Sequence, residues 1–371
     1  LLVTLLLTPV VSSADPVLFK MEGGNMSKTD TYVDPVWDTI SLSHVYDSPL
    51  VFIIPRNDGG HPADFRIRNI TPSSFEATVV EPPGYDGPHV AMTVSYIVAE
   101  EGNWFLTPDR FMTVGAVDVA DLVNSQGGSW VTVPIPQGYT NPIVLAQIQG
   151  FANELHNLPS EFSIPWVTAS VRNVTATSFE VSLDGGRCTN VTTHADADCV
   201  GPYTLSPERI AYLVIEGDVQ DSFVDADGKT ILLETIKTGS NIIGWSDGGT
   251  YVNFVTSFSQ APLFVAKPQT RNEPDGGWFR FSGLSAAGMT LLVEEALADT
   301  SARNDSSPGE TGGVLAFSEN FRVEDLDPDK DLVPIPYDNC PFVANPTQTD
   351  VDGDGDQDVV AAQGAWRGAD P

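Results

Sequence analysis

The chain reads as an all-β protein: a row of antiparallel β-sandwiches followed by an acidic tail. Three observations carry that reading. Gly 32 and Pro 28 are abundant among 371 residues, and strongly helical windows are scarce. Apolar and polar residues alternate with period two in one segment after another, the mark of half-buried strands. The same succession of strands returns three times.

The first element of each repeat is a strand, a short turn, a proline and a second apolar strand. It occurs as VWDTISLSHVYDSPLVFIIP (36–55), SWVTVPIPQGYTNPIVLAQI (129–148) and YVNFVTSFSQAPLFVAKP (251–268). Next comes an alternating hairpin: FRIRNITPSSFEATVVE (65–81), VTASVRNVTATSFEVSLD (167–184) and FRFSGLSAAGMTLLVEE (279–295). Alternation places Phe65 and Ile67 inside with Arg66 and Arg68 outside, Val171 inside with Arg172 outside, and Phe279 and Phe281 inside with Trp278 and Arg280 outside. Beyond the turn, Phe75, Ala77 and Val79 match Phe179, Val181 and Leu183, then Met289, Leu291 and Val293. A last apolar strand closes each repeat: TVSYIVAEEG (93–102), RIAYLVIEGD (209–218) and GGVLAFSEN (312–320). These elements divide the chain into sandwiches at 15–114, 115–238 and 239–321, with boundaries near Gly115 and Gly239. Residues 322–371 form the tail. Residues 319–371 hold 13 of the 50 acidic residues and three basic ones, and apolar periodicity stops there.

Composition narrows the function classes. The formal net charge is −32, from 18 Lys and Arg against 50 Asp and Glu. That balance argues against nucleic acid, whose phosphates need neutralising cations, and against anionic membrane surfaces. It fits a soluble secreted or salt-tolerant protein that attracts cations, placed outside the cell or at its surface. The opening LLVTLLLTPVVSSADP reads as the apolar core and small-residue cleavage site of a signal peptide, residues 1–14. It is too short to span a bilayer as a helix, and with no initiator Met or basic start it reads as a remnant. Cys188 and Cys199 share one polar loop and can close a small disulfide, while Cys340 is left over. N-x-S/T sequons start at Asn25, Asn69, Asn173, Asn190 and Asn304; they read either as glycosylation acceptors or as ordinary turn chemistry.

The order strand, Pro, apolar strand, Arg-Asn-Ile-Thr turn, Phe-led strand and Tyr-Ile-Val-Ala strand resembles the H-type lectin domains. Residues 36–100 carry the resemblance best, 129–216 carry it with a long insertion, and 250–318 are degenerate. The resemblance implies six-stranded antiparallel sandwiches that bind sugars, often as trimers, with glycans on a cell surface or matrix as partners and homo-oligomers in reach. A sugar site needs planar hydrogen-bonding groups for hydroxyls and an aromatic face for the C–H side. The residues of this sequence that fit are Asp64, Arg66 and Arg68 on one outward strand face, and Tyr85, Asp86 and His89 in the loop PPGYDGPH. Arg172 aligns with Arg68, while Ser170 stands at the Arg66 position. In the third repeat Arg280 aligns with Arg66, and Ser282 stands at the Arg68 position. Trp104 and Trp278 are the candidates for stacking on a sugar.

The tail, DLDPDKDLVPIPYDNCPFVANPTQTDVDGDGDQD (325–358), resembles thrombospondin type 3 repeats, which string Asp at alternate positions before DNCP and N-x-x-Q-x-D. The resemblance implies calcium as cofactor, and the chemistry suits it: Ca²⁺ takes six to eight oxygens, and an Asp-rich turn supplies them. Asp327, Asp329, Asp331 and Asp338 fit one unit; Asp350, Asp352, Asp354 and Asp358 fit the next, with Gly355 at the bend. Leu332 and Ile335 depart from the pattern. Val359-Val360-Ala361 stands where a Cys partner for Cys340 is expected.

GWSDG (244–248) matches the nucleophile-elbow pattern, but a Gly-Gly turn and the strand YVNFV come directly after it, so it reads as a hairpin turn and not as an active site. The sequence contains no H-E-x-x-H, P-loop or G-x-G-x-x-G. The expectation is a non-enzymatic carbohydrate-binding or adhesion protein with a calcium-ordered spacer. The alternatives are a structural subunit of an extracellular layer or filament, and an accessory region of a larger hydrolase.

Overall fold

The computed structural model describes residues 19–28, 36–82, 89–107, 110–125, 127–136, 138–153, 166–186, 205–295 and 308–325. Unit 1 runs through β1 (Phe19–Lys28), β2 (Asp38–Ser41), β3 (Pro49–Ile53), β4 (Asp64–Thr71), β5 (Ser74–Val80) and β6 (Met92–Glu100). Unit 2 continues with β7 (Gly102–Thr107), β8 (Arg110–Val119), β9 (Leu122–Asn124), β10 (Gly127–Gly128), β11 (Val131–Pro134), β12 (Pro142–Ile148), β13 (Thr168–Arg172), β14 (Ser178–Asp184) and β15 (Glu208–Glu216). Unit 3 contains β16 (Val219–Val224), β17 (Thr230–Ile242), β18 (Thr250–Asn253), β19 (Leu263–Pro268), β20 (Trp278–Ser285), β21 (Gly288–Glu294) and β22 (Glu310–Phe317). A last strand, β23 (Phe321–Asp325), returns to unit 1.

Each unit stacks a four-stranded sheet on a smaller one. The four-stranded orders are β23-β1-β6-β3, β7-β8-β15-β12 and β16-β17-β22-β19. The smaller sheets are β2-β5-β4, β18-β21-β20, and β11-β14-β13 with β9 and β10 added in unit 2. The proline of each repeat, Pro49, Pro142 or Pro262, lies where the chain passes from the smaller sheet to the larger. The predicted inward residues are inside: Phe65, Ile67, Phe75, Phe179, Val181, Phe279 and Leu291 are all buried. Trp245–Asp247 form a single 3-10 turn ending on Gly248 at φ 89°, and β18 comes next, so GWSDG is a turn between strands.

The pairings move three boundaries, the last because the limit read between 321 and 322 falls inside β23. β7 and β8 form a hairpin that pairs with β15 in unit 2, and β16 and β17 form one that pairs with β22 in unit 3. Gly115 and Gly239, read from the sequence as limits, therefore lie inside β8 and β17. The chain crosses between units through Glu101, through Gly217–Asp218 and through Ser318–Asn320. β23 takes in unit 1 the place that β7 and β16 take in units 2 and 3. The three units thus close into a ring sealed by the antiparallel register Phe19↔Asp325 to Gly23↔Phe321.

The runs PLVFI, PIVLAQI and LFVAKP have no polar alternation because they are covered on both faces. One face lines the interior of its own sandwich. The other meets the equivalent sheets of the other two units in a shared core that includes Phe19, Leu50, Phe52, Met112, Ile143, Leu145, Leu213, Leu263, Val265, Phe317 and Phe321. Full burial of such a side chain is worth about 1.5–3 kcal/mol, so this core supplies a large part of the fold's stability. At one end of it Val80, Trp166 and Trp278 meet, one residue from each unit.

Acidic side chains hold the loops. Among the described residues six strand glutamates, four of them at strand ends, each accept two consecutive backbone N–H groups. The pairs are Glu22 with Ser43 and His44, Glu100 with Asp47 and Ser48, Glu208 with Ala152 and Asn153, Glu216 with Thr140 and Asn141, Glu234 with Val255 and Thr256, and Glu310 with Asn272 and Glu273. Burial pushes the Glu100 and Glu310 carboxyls up, and the N–H groups pull them back.

Candidate functional site

The predicted sugar face splits into two halves with different fates. In β4 and β20 the first four residues are buried and the last four alternate. The outward positions of that first half are covered by the neighbouring unit, so Asp64, Arg66, Trp278 and Arg280 face protein and not solvent. Arg66 is 4% exposed; it donates to Asp64 Oδ2 at 3.1 Å and to the Val167 carbonyl of unit 2 at 3.2 Å, and its guanidinium lies 4.2 Å from the centre of the Trp166 ring. Arg280, completely buried, pairs with Glu294 at 2.8 Å and donates to the carbonyls of Arg56, Asp58 and His61 in unit 1. Alternation reports which side of a sheet a residue lies on, but it does not report what packs there.

The same correction applies to three further candidates. His89 is 2% exposed, with Nδ1 at 3.0 Å from the Val90 carbonyl. Burial, and then the charge of Arg280, lower its pKa to about 4, so the ring is neutral. Trp278 gives its indole N–H to the Ala63 carbonyl at 3.0 Å. Trp104 gives its own to the Glu100 carbonyl and packs on Phe19 in the shared core. Neither tryptophan offers a face to a sugar. Tyr85 and Asp86 lie outside the described residues, as do Cys188, Cys199, Cys340 and the calcium candidates Asp327, Asp329, Asp331, Asp338, Asp350, Asp352, Asp354 and Asp358. Among the described residues no group of three or more His, Cys, Asp or Glu could hold a metal ion.

Glutamine side chains complete two of the joints between units. Gln149 of unit 2 accepts the Val51 N–H at 2.9 Å and donates to the Val51 carbonyl at 2.8 Å, pairing with the edge of β3 as a strand would. Gln269 of unit 3 does the same to Val144 of β12, at 2.7 Å in both directions. At the third joint the aligned residue is Arg56, and Arg280 binds its carbonyl instead. Asp184 and Arg271 pair at 2.7 Å across units 2 and 3, both nearly fully buried. Lys267 of unit 3 donates to Gln147 of unit 2 at 2.7 Å beside a small cavity that Asp64 and Arg66 also line. Burial lowers its pKa to about 8, with Asp64 opposing that shift.

The second half of the face is accessible, and there two predicted residues occupy equivalent places. Arg68 donates to Glu76 at 2.7 Å and lies 3.9 Å from the centre of the Trp37 ring. Arg172 donates to Glu180 at 2.6 Å and lies 4.2 Å from the centre of the Trp130 ring. Asn69 and Asn173 donate to the same glutamates at 3.0 Å from backbones at φ 47° and 50°. Arg68 holds the Glu76 carboxyl below its usual range. Unit 3 has Gly249, Ser282, Thr290 and Gly283 at these positions. Sequence reasoning missed Trp37 and Trp130, although each directly precedes or lies next to the first strand of its repeat, in VWDT and SWVT. The turns also explain the sequons at 69 and 173. Gly283, at φ 61°, and Ser285 make the same turn in unit 3 without a sequon. The Asn and Thr therefore serve the left-handed residue and the hydroxyl-to-backbone bond that such a turn needs.

The chain is 25% identical over 297 residues to halomucin of Haloquadratum walsbyi (strain DSM 16790 / HBSQ001), a stretch that is 77% of this chain and 3% of that protein. The chain thus spans a small fraction of the relative it matches. No family model and no solved structure matches. No described helix is long and apolar enough to cross a membrane.

Proposed function

We propose that this chain is a non-enzymatic structural block of an extracellular surface protein, built to be rigid. One observation carries the reading: the charged side chains best suited to a ligand on the sandwich faces (Asp64, Arg66 and Arg280) are spent fixing one unit against the next around a shared core, and His89 is buried. Every arginine among the described residues sits in an ion pair, so none is a free cation for a phosphate partner. In this reading the Asp comb that comes after β23 is a calcium-ordered extension that acts as a spacer beside the block.

The duplicated Trp37–Arg68–Glu76 and Trp130–Arg172–Glu180 patches favour a second reading, carbohydrate-dependent adhesion at two weak, equivalent sites whose sum gives avidity. A glycan array with the full chain, run with and without EDTA beside differential scanning calorimetry, separates the two. The structural block is expected to show one cooperative transition and no retention on the array. Retention that disappears in W37A/W130A overturns it in favour of adhesion, and independent melting of the units overturns the claim of rigidity.

A further inference from the structure

Ring closure creates a pocket of about 290 Å³ between unit 1 and the end of unit 3. Its floor is β1, where Gly24 lets the Tyr96 ring lie flat across the strand; a Cβ there would stand 2.7 Å from the Tyr96 hydroxyl. Its walls come from the β16–β17 turn and from Asn320 to Arg322. We propose that this pocket binds a small uncharged polyol the size of a single sugar ring.

Charge, hydrogen bonding and size converge on that class of ligand. The lining carries two acids, Glu22 and Asp227, and two cations, Lys229 and Arg322, so it favours neither an anion nor a cation. Arg322 is already forked onto Asp227, and Lys229 is paired with Glu319 at 3.3 Å. Glu22 is engaged by the Ser43 and His44 N–H groups and the Tyr46 hydroxyl, and the other polar groups of the lining are neutral. Asn25 donates to Asn320 Oδ1 at 3.0 Å and accepts from Ser95 at 3.0 Å, which fixes both amides. Asn320, exposed and bonded through its oxygen, keeps its amide N–H groups for a hydroxyl oxygen. The volume is at the lower end of ligand pockets, about 300–1,000 Å³. The pocket is specific to this junction: the residues aligned with Asn25 in β8 and β17 are Ala116 and Lys237. It is distinct from the Trp–Arg patches and does not depend on either reading of function.

The test uses the full chain, ¹⁵N-labelled, titrated with methyl α-glucoside, methyl α-galactoside and methyl α-mannoside. At least one is expected to saturate with a millimolar Kd, to shift the side-chain amides of Asn25 and Asn320, and to bind equally at low and high salt. N320A is expected to weaken binding at least tenfold with an unchanged urea midpoint. No saturable shift at either amide, shifts confined to the Trp37 and Trp130 indoles, or undiminished binding in N320A would each overturn the assignment.

Discussion

His89 makes folding stability depend on pH in a calculable way. Its folded pKa is about 4 against an ordinary value of 6.5, so on acidification the unfolded chain takes up a proton that the folded chain refuses. Stability is therefore intact above about pH 6.5 and is lost as pH falls towards about 4. At about 1.4 kcal/mol per pH unit, that gap amounts to about 3 kcal/mol. The ring is almost fully enclosed, so solvent screens little of it. In H89Q the amide can still donate to the Val90 carbonyl but cannot titrate. The variant is expected to lose about 1–2 kcal/mol at pH 7 from imperfect packing. Its deficit should then shrink by about 3 kcal/mol between pH 7 and pH 4, reversing in sign at the acid end. The assay is urea unfolding of both proteins at fixed ionic strength across that range. Carboxylates titrate there too, but they are common to both chains and cancel in the difference. Parallel pH profiles would refute the claim that His89 is held neutral at the junction.

Replacing Arg280 by Met should cost about 3–5 kcal/mol in urea unfolding at pH 7, because Glu294 is left buried without its partner. Q149A and Q269A should each cost about 1–3 kcal/mol from unpaired edge-strand amides and carbonyls, and should add in the double variant because they share no partner. Lys267, with a folded pKa of about 8 against 10.5, penalises the fold below about pH 8, and that penalty is relieved as pH rises to 10.5. K267M should therefore be favoured at pH 7, and its advantage should fall by about 2–3 kcal/mol by pH 10.5 in urea unfolding. Calcium titrated into the full chain should release heat in isothermal calorimetry, and D352N/D354N should remove most of it.

The strands and their inward faces were legible because burial inside a sandwich imposes period two on the residues, as at Phe75, Ala77 and Val79. The runs at 49–53, 142–148 and 263–268, apolar apart from Gln147 and Lys267 near their ends, also carried a message that alternation cannot express: a strand without polar alternation is covered on both sides. Taken with the threefold repeat, those runs are the sequence's record of the shared core. The closing strand was not legible. FRVED is five residues long at the head of an acidic stretch, and its place is set by the register with β1, some 300 residues away in the chain. Local pattern holds no information at that separation.

Arg66 and Arg280 were legible as outward residues but not as joints, and the reason lies in what three similar sheets need. An apolar core alone tolerates sliding and repacking among sheets so alike, since dispersion and burial are non-directional. Directional bonds remove that freedom. A Gln amide fits an edge strand in only one register, and an arginine fork reaches three loop carbonyls in only one orientation. Two joints use the same device, a glutamine amide on an edge-strand valine, and the third uses Arg280, so that junction is told apart from the other two. The same differences make the third repeat look degenerate when it is aligned for a ligand site. Ser282, Thr290 and Gly249 lack the exposed patch of the first two repeats, while Arg280, Arg271, Gln269 and Lys267 give unit 3 contacts with both neighbours. Divergence among the repeats thus tracks position in the ring, with polar residues kept where a unit must be told apart from its near copies.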